Sequence, residues 1–394
     1  MKQDGHREVD SARSQIDDGG QRHLKSESTI NLVFRGSSGI SNWEQQRKSN
    51  QLPNFWPYGL DHLSRSFQHL NAIDLVEQSK SRAVVSALKS ILFSNRRPGI
   101  AICWDERVAV RMLYQAPFNE MFSGLIWAND DILREGFTFK NRLMRASLRQ
   151  LSGVWCLSRA QIKPTIEWLG FEPRRVHHII FGVDSDFFRY QEPASGPPMI
   201  FSCGNDRDRD PKTLFAALDL VRKERPHVRA IVQTNTNLKP PPNVQVIGRI
   251  SHSELRDMYK EAALVMVATR PNLHVSGMTV ALEAMSTGRP VVISDTAGME
   301  DYVDSKFSEQ RCKPGDADGL AAAAINLIDN EELRRAVGIL GRQDVERTYN
   351  TVAMADRIAS VVLKGSAEDK TSTTNVRFEP GISGPTRPRK ERSK

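Results

Sequence analysis

Residues 261–303 read EAALVMVATRPNLHVSGMTVALEAMSTGRPVVISDTAGMEDYV. The apolar run 263–268 has strand composition, the loop 274–277 contains glycine, and residues 278–286 have helical spacing before a second strand-like run at 291–293. A strand, a glycine-bearing loop and a helix present backbone N–H groups and the positive end of a helix dipole to an anion. The stretch therefore predicts a phosphate-binding turn within an α/β sheet.

The loop lacks two common phosphate-binding motifs. It has no P-loop lysine and no G-x-G-x-x-G, so neither a P-loop ATPase nor a plain dinucleotide fold is indicated. Glu283 lies about one helical turn beyond Thr279, so its carboxylate can look back towards the anion. The residues expected around the anion are Ser276, Gly277, Met278 and Thr279.

The block LEAM at 282–285, followed by GRPVV at 288–292, Ser294-Asp295 and Gly298, resembles the nucleotide-sugar signature of family 4 retaining glycosyltransferases of GT-B fold. The resemblance implies that Glu283 binds the ribose hydroxyls and that a second glutamate, eight positions earlier, touches the donor sugar. Position 275 is a valine here. The resemblance therefore implies that the sugar contact has moved to His274 or to main chain, or is absent.

The chain of 394 residues is long for one domain and comfortable for two. Strands and helices alternate through residues 30–183 and again from residue 199, which is typical of doubly wound parallel sheets. With the resemblance, we expect a GT-B α/β architecture in which two Rossmann-like domains face a cleft. The expected segments are a disordered tail (1–28), an acceptor domain (29–190) onto which the helix 350–364 packs back, a linker (191–198), a nucleotide-sugar domain (199–349) and a disordered basic tail (365–394).

Composition and charge limit the expected cellular compartment and the classes of partner. No apolar run approaches the roughly 20 residues that span a bilayer, and no apolar signal core begins the chain, so we expect a cytoplasmic protein. The formal charge of +8 lacks a nucleic-acid recognition pattern, and residues 387–394 carry about half of it. A solvated tail explains this excess. The alternative is peripheral contact with an anionic membrane, for which the basic helix predicted at 82–93 is also suited.

The first half of the chain offers three candidate site residues. Gly39 follows the first predicted strand, where the resemblance implies an approach to the donor phosphates. Asp105 follows the strand-like run 99–104 and would either orient an acceptor hydroxyl or cap the next helix. Asp130 follows the run 122–127 and matches the aspartate of the family's His-Asp pair, whereas Asn129 replaces the histidine and cannot exchange a proton near neutral pH.

The second half supplies the expected donor contacts. Gly204 follows the strand-like run 199–203, and the resemblance implies that basic residues beside this loop neutralise the donor diphosphate. Arg209 is the main candidate, because guanidinium matches phosphate oxygens. Arg207 and Lys212 are secondary candidates. The alternative is that the interleaved aspartates pair with these arginines and leave them structural. The resemblance also implies that Arg249 and Ile250 line the base pocket.

We therefore expect a retaining glycosyltransferase that uses a nucleotide sugar and a saccharide or lipid-linked acceptor, with Asp105, Asp130 and His274 as candidate catalytic residues. No D-x-D motif stands in a suitable loop, so we expect neither metal nor cofactor. One rival is a non-transferring GT-B protein that only binds nucleotide sugar. The other is a GT-B epimerase or phosphorylase, although a pyridoxal-type phosphorylase would need a cofactor lysine in a much longer chain.

Overall fold

A computed structural model describes residues 25–35, 40–75, 96–192 and 196–374, with side chains to residue 366 except that of Ser41. Gly39, the helix predicted at 82–93, residues 1–24 and residues 375–394 lie outside the described residues. Two six-stranded sheets, each wholly parallel, form two α/β domains. Their strands are short apolar runs, and most are buried on both faces, as expected of strands covered by helices.

The first sheet has the spatial order β2-β1-β3-β4-β5-β6. Its strands are β1 (Ser26–Arg35), β2 (Phe67–Leu75), β3 (Arg97–Cys103), β4 (Phe118–Leu125), β5 (Gly153–Cys156) and β6 (Val176–His178). The helices of this domain are α1 (Ile40–Lys48), α2 (Glu106–Gln115), α3 (Ala128–Glu135), α4 (Phe139–Leu148) and α5 (Ile162–Leu169), with short 3-10 segments at Pro57–Arg65, Arg159–Gln161 and Pro173–Arg175.

The second sheet has the order β12-β11-β10-β7-β8-β9. Its strands are β7 (Met199–Cys203), β8 (Arg229–Gln233), β9 (Val244–Ile247), β10 (Leu264–Val267), β11 (Val291–Ser294) and β12 (Arg311–Cys312). The helices are α6 (Pro211–Glu224), α7 (His252–Glu261), α8 (Met278–Ser286), α9 (Ala317–Asp329), α10 (Glu331–Arg347) and α11 (Thr351–Thr374), with 3-10 segments at Met299–Asp301 and Ser305–Gln310.

Two predicted boundaries are wrong. The first strand begins at Ser26, so part of the predicted tail 1–28 belongs to the sheet. The last helix runs to Thr374 and enters the predicted tail 365–394. Asp130 follows strand β4, as predicted, and lies in the first turn of helix α3, whose N-cap residue is Trp127.

The two domains are joined on the side where the carboxyl ends of both sheets face each other. Helix α11 returns to the first domain, where Thr351 stands so close to Gly59 that a Cβ there would lie 2.5 Å from it. Tyr302 of the second domain accepts a hydrogen bond from the backbone of Phe181 (3.1 Å), and Ser158 donates to the carbonyl of Leu273 (2.9 Å). Ligands of open α/β sheets bind at this edge. No helix in the described ranges is long and apolar enough to cross a membrane.

Candidate active site

Two adjoining cavities open between the domains. The first, about 610 Å³, is lined by both domains and includes Asp105, Arg209, His274, Ser276, Gly277, Met278, Thr279 and Glu283 among the predicted residues. The second, about 950 Å³, includes Gly204, Arg249 and Ile250. Glu283 and Thr279 line both cavities and therefore mark their junction. Lys212 is exposed on α6 and lines neither cavity, so it does not join this group.

Helix α8 begins at the first cavity without a side-chain cap. Gly277 is its N-cap residue and has φ of 98°, a conformation that favours glycine. The N–H groups of Gly277 and Thr279 have no hydrogen-bond acceptor within the described ranges. An uncapped helix N-terminus with free N–H groups favours a negative charge.

Arg209 lies against this helix terminus. A Cβ on Gly277 would stand 2.9 Å from Nη1 of Arg209, and one on Gly204 would stand 2.5 Å from Nη2, so the guanidinium occupies the space that two glycines leave. Its Nε and Nη1 are buried and have no hydrogen-bond partner in the described part of the chain. Burial lowers the pKa of Arg209, although nearby acidic groups including Asp206 oppose this. A buried cation with unsatisfied donors calls for an anionic ligand.

Glu283 presents a buried carboxylate one helical turn further along α8. The hydroxyl of Tyr259 donates to its Oε2 at 2.8 Å, and no described residue donates to Oε1. Burial raises the pKa of Glu283 to about 7, while the bond from Tyr259 and the charge of Arg209 act in the opposite direction. The free oxygen can accept hydrogen bonds from ligand hydroxyls.

His274 is held between carboxylates of both domains. Its Nδ1 lies 2.9 Å from Oδ2 of Asp130 and its Nε2 lies 3.1 Å from Oδ1 of Asp206, which also accepts the hydroxyl of Ser276 at 2.6 Å. Burial disfavours the charged ring, but the bonds to Asp130 and Asp206 prevail and raise the pKa of His274 to about 9. The ring is therefore a fixed imidazolium at neutral pH, with both nitrogens occupied.

His274 and two neighbouring aspartates also stand close enough to one another to share a cation. Within the described ranges, Asp206, Asp208 and His274 form the group of potential metal ligands, with ligand atoms within 4.8 Å of one another. An imidazole binds a metal through a deprotonated nitrogen, and both ring nitrogens of His274 lie within hydrogen-bond distance of carboxylates. A cation bound at this group would therefore displace a proton that the carboxylates hold on the ring.

Asn129 and Asp130 have structural partners. The amide nitrogen of Asn129 donates to Oγ1 of Thr165 at 2.9 Å, inside the first domain. Besides the His274 ring, Asp130 accepts the backbone N–H groups of Leu273 (2.9 Å) and His274 (3.1 Å), and it lines a side crevice instead of the main cavity. Asp130 therefore clamps the two domains together and is not a free catalytic carboxylate.

Asp105 and Arg207 both have partners within the protein, but only Asp105 also lines the main cavity. Oδ1 of Asp105 accepts the N–H groups of Arg107 (2.8 Å) and Val108 (2.9 Å), so the residue caps α2 and also lines the main cavity. Arg207 forms ion pairs with Asp131 across the domains and with Asp208. The pairing with interleaved and opposing aspartates therefore applies to Arg207, whereas Arg209 keeps unpaired donors.

The wall contributed by the first domain is aromatic, which the sequence patterns did not reveal. The ring of Tyr58 stacks on Trp104 with centroids 4.0 Å apart and planes at 9°. Tyr58 adopts φ of 63°, a strained conformation for a bulky residue, and such strain clusters at ligand sites. Asp206 was also missed, because the run NDRDRD does not indicate which aspartate faces the cleft.

Two facing parallel-sheet domains with a nucleotide-sized cleft define the GT-B fold, and solved structures agree. A sucrose-phosphate synthase from Thermosynechococcus elongatus aligns with a TM-score of 0.59 at 15% identity, covering 87% of this chain and 100% of that one. Anabaena HepE in complex with UDP-glucose aligns with a TM-score of 0.59 at 14% identity, covering 86% and 100%. The GT-B fold of this chain is thereby confirmed.

Residues 187–344 match the pattern of the family described as glycosyl transferases group 1. An MMP alpha-(1->4)-mannosyltransferase of Mycolicibacterium hassiacum is 23% identical over 253 residues, which cover 61% of each chain. A GDP-mannose-dependent monoacylated alpha-(1-6)-phosphatidylinositol monomannoside mannosyltransferase of Corynebacterium glutamicum is 26% identical over 124 residues, 30% of this chain and 32% of that protein. The chain thus matches about three fifths or less of the length of these two relatives.

Proposed function

We propose that this protein transfers a sugar from a nucleoside-diphosphate donor to a hydroxyl acceptor with retention of anomeric configuration. The observation that carries the proposal is the buried Arg209 guanidinium, with unsatisfied donors at the uncapped start of α8. The diphosphate would bind there. Glu283 would accept the ribose hydroxyls, and the base would enter the second cavity beside Arg249 and Ile250.

The names of similar proteins support a nucleotide-sugar donor but point to different bases. One relative is described as dependent on GDP-mannose, and one fold neighbour was solved with UDP-glucose. The donor sugar would lie between the diphosphate and the domain interface. There Asp206, whose side chain is 27% exposed, would accept a sugar hydroxyl in place of the glutamate that Val275 replaces.

The chemistry rests on electrostatic support for the leaving group. Departure of the nucleoside diphosphate leaves negative charge on its phosphate oxygens as an oxocarbenium-like centre develops. The α8 terminus, Arg209 and the imidazolium of His274 are fixed positive groups in the same cleft, and such preorganised charges are usually the largest catalytic effect. Neither a protein nucleophile, a metal nor another cofactor is needed in this proposal.

The acceptor would bind on the first-domain side of the main cavity. That side includes Trp43, Tyr58, Trp104, Trp127 and Phe181. Aromatic faces suit the apolar faces of sugar rings and lipid-linked saccharides, and Asp105 at the same wall would orient the attacking hydroxyl. A saccharide or lipid-linked acceptor is therefore the proposed class.

A rival proposal is a GT-B protein that binds the nucleotide sugar without transferring it. It is favoured by Val275, which is 1% exposed and has no polar atom to offer the sugar, and by Asn129, which is turned into the first domain. Donor binding without release of nucleoside diphosphate in any acceptor screen would favour this rival over the transferase.

The decisive experiment is calorimetric titration of uridine, guanosine and adenosine diphosphate sugars into the wild-type protein and Glu283→Gln. We expect one base to bind and Glu283→Gln to weaken binding of that nucleotide sugar by about 1–3 kcal/mol, because the ribose hydroxyls lose a carboxyl partner. Glu332→Gln, an exposed change on α10, is the matched control and should bind like the wild type. Equal affinities for all three proteins would remove Glu283 from the donor site.

A further inference from the structure

A cluster of large apolar side chains faces outward on helices α3 and α4. Leu133, Phe137, Phe139 and Leu143 are 70%, 67%, 83% and 49% exposed. Helix α3 ends at Glu135 and α4 begins at Phe139, so these residues occupy one connected corner of the first domain. Contiguous exposure of this kind marks an interaction surface, whereas single exposed apolar residues do not. We refer to these four residues as the outer cluster.

The outer cluster follows the periodicity of α4. Phe139, Arg142, Leu143 and Ala146 are exposed, whereas Asn141, Ser147 and Leu148 are buried. Spacings of three and four residues place the exposed set on one face of the helix. Helix α4 therefore packs one side on the domain, and its outward side combines the apolar Phe139 and Leu143 with the basic Lys140 and Arg142.

The charges around the cluster are mainly positive. Residues 133–149 contain five basic side chains and one acidic side chain, Glu135, which lies 3.6 Å from Lys140. Arg142 and Arg149 are exposed and have no side-chain hydrogen bond or ion pair within the described ranges. An apolar cluster with two such arginines on the same helix is complementary to a surface that is both apolar and anionic.

The position of the cluster connects it to the cleft. Asp130, near the start of α3, reaches the His274 clamp, and Leu133 lies three residues later on the same helix, roughly 4.5 Å along its axis. Leu133 and Arg134 line a side crevice together with Asp130 and Leu273. A surface that touches the cluster would therefore lie beside the opening between the domains.

We propose that the outer cluster docks on the surface of an anionic lipid bilayer, inserting Phe137 and Phe139 among the headgroups while Arg142 and Arg149 contact lipid phosphates. Resting on the proposed function, this docking places the cleft where a lipid-linked acceptor can enter. The surface is distinct from the basic tail at 387–394, to which the charge pattern of the sequence first drew attention.

The test is sedimentation of the full chain with vesicles of phosphatidylcholine and phosphatidylglycerol, against vesicles of phosphatidylcholine alone. We expect binding to the anionic vesicles only. Phe137→Ser/Phe139→Ser should lower the partition coefficient by about tenfold or more, and Arg142→Gln should lower it about fivefold with a weaker salt dependence. These positions are exposed, so the variants should keep the melting temperature of the wild type.

Two control variants separate this surface from others. Ile339→Ser/Leu340→Ser removes exposed apolar side chains from α10, where these residues are 46% and 43% exposed, and should bind like the wild type. Arg387→Gln/Arg389→Gln/Lys390→Gln removes charge from the tail. Loss of binding in the tail variant with full binding in the Phe137/Phe139 variant would overturn the proposal, as would absence of binding by the wild type.

A second measurement reports insertion directly. All four native cysteines are buried, so Phe139→Cys provides one accessible thiol for an environment-sensitive fluorophore. We expect a blue shift when anionic vesicles are added, and no shift for Ile339→Cys. An unchanged spectrum at position 139 would refute insertion. Neither measurement needs a donor or acceptor, so the result is independent of the Glu283 titration.

Discussion

His274 is the residue whose charge and contacts most affect the arrangement of side chains in the cleft. It stands beside Val275, where the resemblance to family 4 enzymes implies a glutamate, and it is the cation that fixes Asp206 at the edge of the main cavity. Hydrogen bonds from His274 and Ser276 overcome the effect of burial and hold the pKa of Asp206 below its usual range. Asp206 is therefore a carboxylate held by two donors at the edge of the main cavity.

The His274 clamp predicts a pH-dependent stability. Its pKa is about 9 in the folded protein against an ordinary value of 6.5, so the stabilisation is complete below about pH 6.5 and is lost as pH rises through about 9. We expect the difference in unfolding free energy between wild type and His274→Gln to shrink by on the order of 3 kcal/mol between about pH 6 and pH 10. Denaturant titrations at both pH values measure this difference.

His227→Gln, at an exposed position, is the control and should keep the pH dependence of the wild type. A difference between wild type and His274→Gln that is the same at both pH values would show that the imidazolium is not stabilised by the two carboxylates.

The start of α8 is the element on which donor binding depends, and its geometry relies on glycine. At Gly277 a Cβ would stand 2.8 Å from Cγ1 of Val267 as well as against Arg209, and the backbone has positive φ. The helix terminus and the guanidinium can therefore be adjacent only if position 277 lacks a side chain. Glu283, whose pKa is raised by burial, lies further along the same helix. A small shift of α8 would therefore also move that carboxylate.

Gly277→Ala should lower the unfolding free energy by about 1–3 kcal/mol and weaken nucleoside diphosphate binding at least about tenfold, because the added methyl displaces Arg209 from the helix terminus. Calorimetry and thermal unfolding measure the two effects. Gly315→Ala is the matched control, since it also has positive φ (85°) but has open space around it. Equal loss of affinity in both variants would attribute the effect to global strain.

The cleft as a unit depends on charge pairs between the domains. Arg207 pairs with Asp131 and Arg134 pairs with Asp208, each pair joining the first domain to the second. The backbone N–H of Arg159 donates to Asp301 at 2.9 Å in a further contact. The proposed donor contacts all belong to the second domain, whereas the proposed acceptor wall belongs to the first. Domain contacts should therefore govern transfer more than donor binding.

Asp131→Ala should leave donor affinity within about twofold of wild type and lower turnover by about fivefold or more, because the acceptor wall is no longer held in register with the donor. Donor titration and nucleoside diphosphate release measure the two quantities. Glu135 lies on the same helix and, within the described ranges, pairs with Lys140, so Glu135→Ala should change neither quantity. Equal losses in affinity and turnover for Asp131→Ala would contradict this division of roles.

The arrangement of strands and helices could be read from the chain because it depends on local periodicity. Continuous apolar runs, turn glycines and the LEAM block identified the parallel sheets and the uncapped helix, and the fold is confirmed. Arg209 and Glu283 stand at the cleft as predicted, although their roles remain proposals. Short-range patterns suffice for strands, helices and turns because backbone geometry and turn chemistry act within a few residues, whereas the roles expected of Arg209 and Glu283 came from the resemblance.

Which side chains pair with one another in the cleft was decided only by tertiary packing. His274 binds Asp130 and Asp206, which are 144 and 68 positions away in the chain. Lys212 is exposed on α6, although it is close in sequence to Arg209. Asn129 faces the interior for the same reason. Which of several neighbouring charges becomes buried, paired or free depends on how the two sheets face each other, and no periodicity in the sequence encodes that distance.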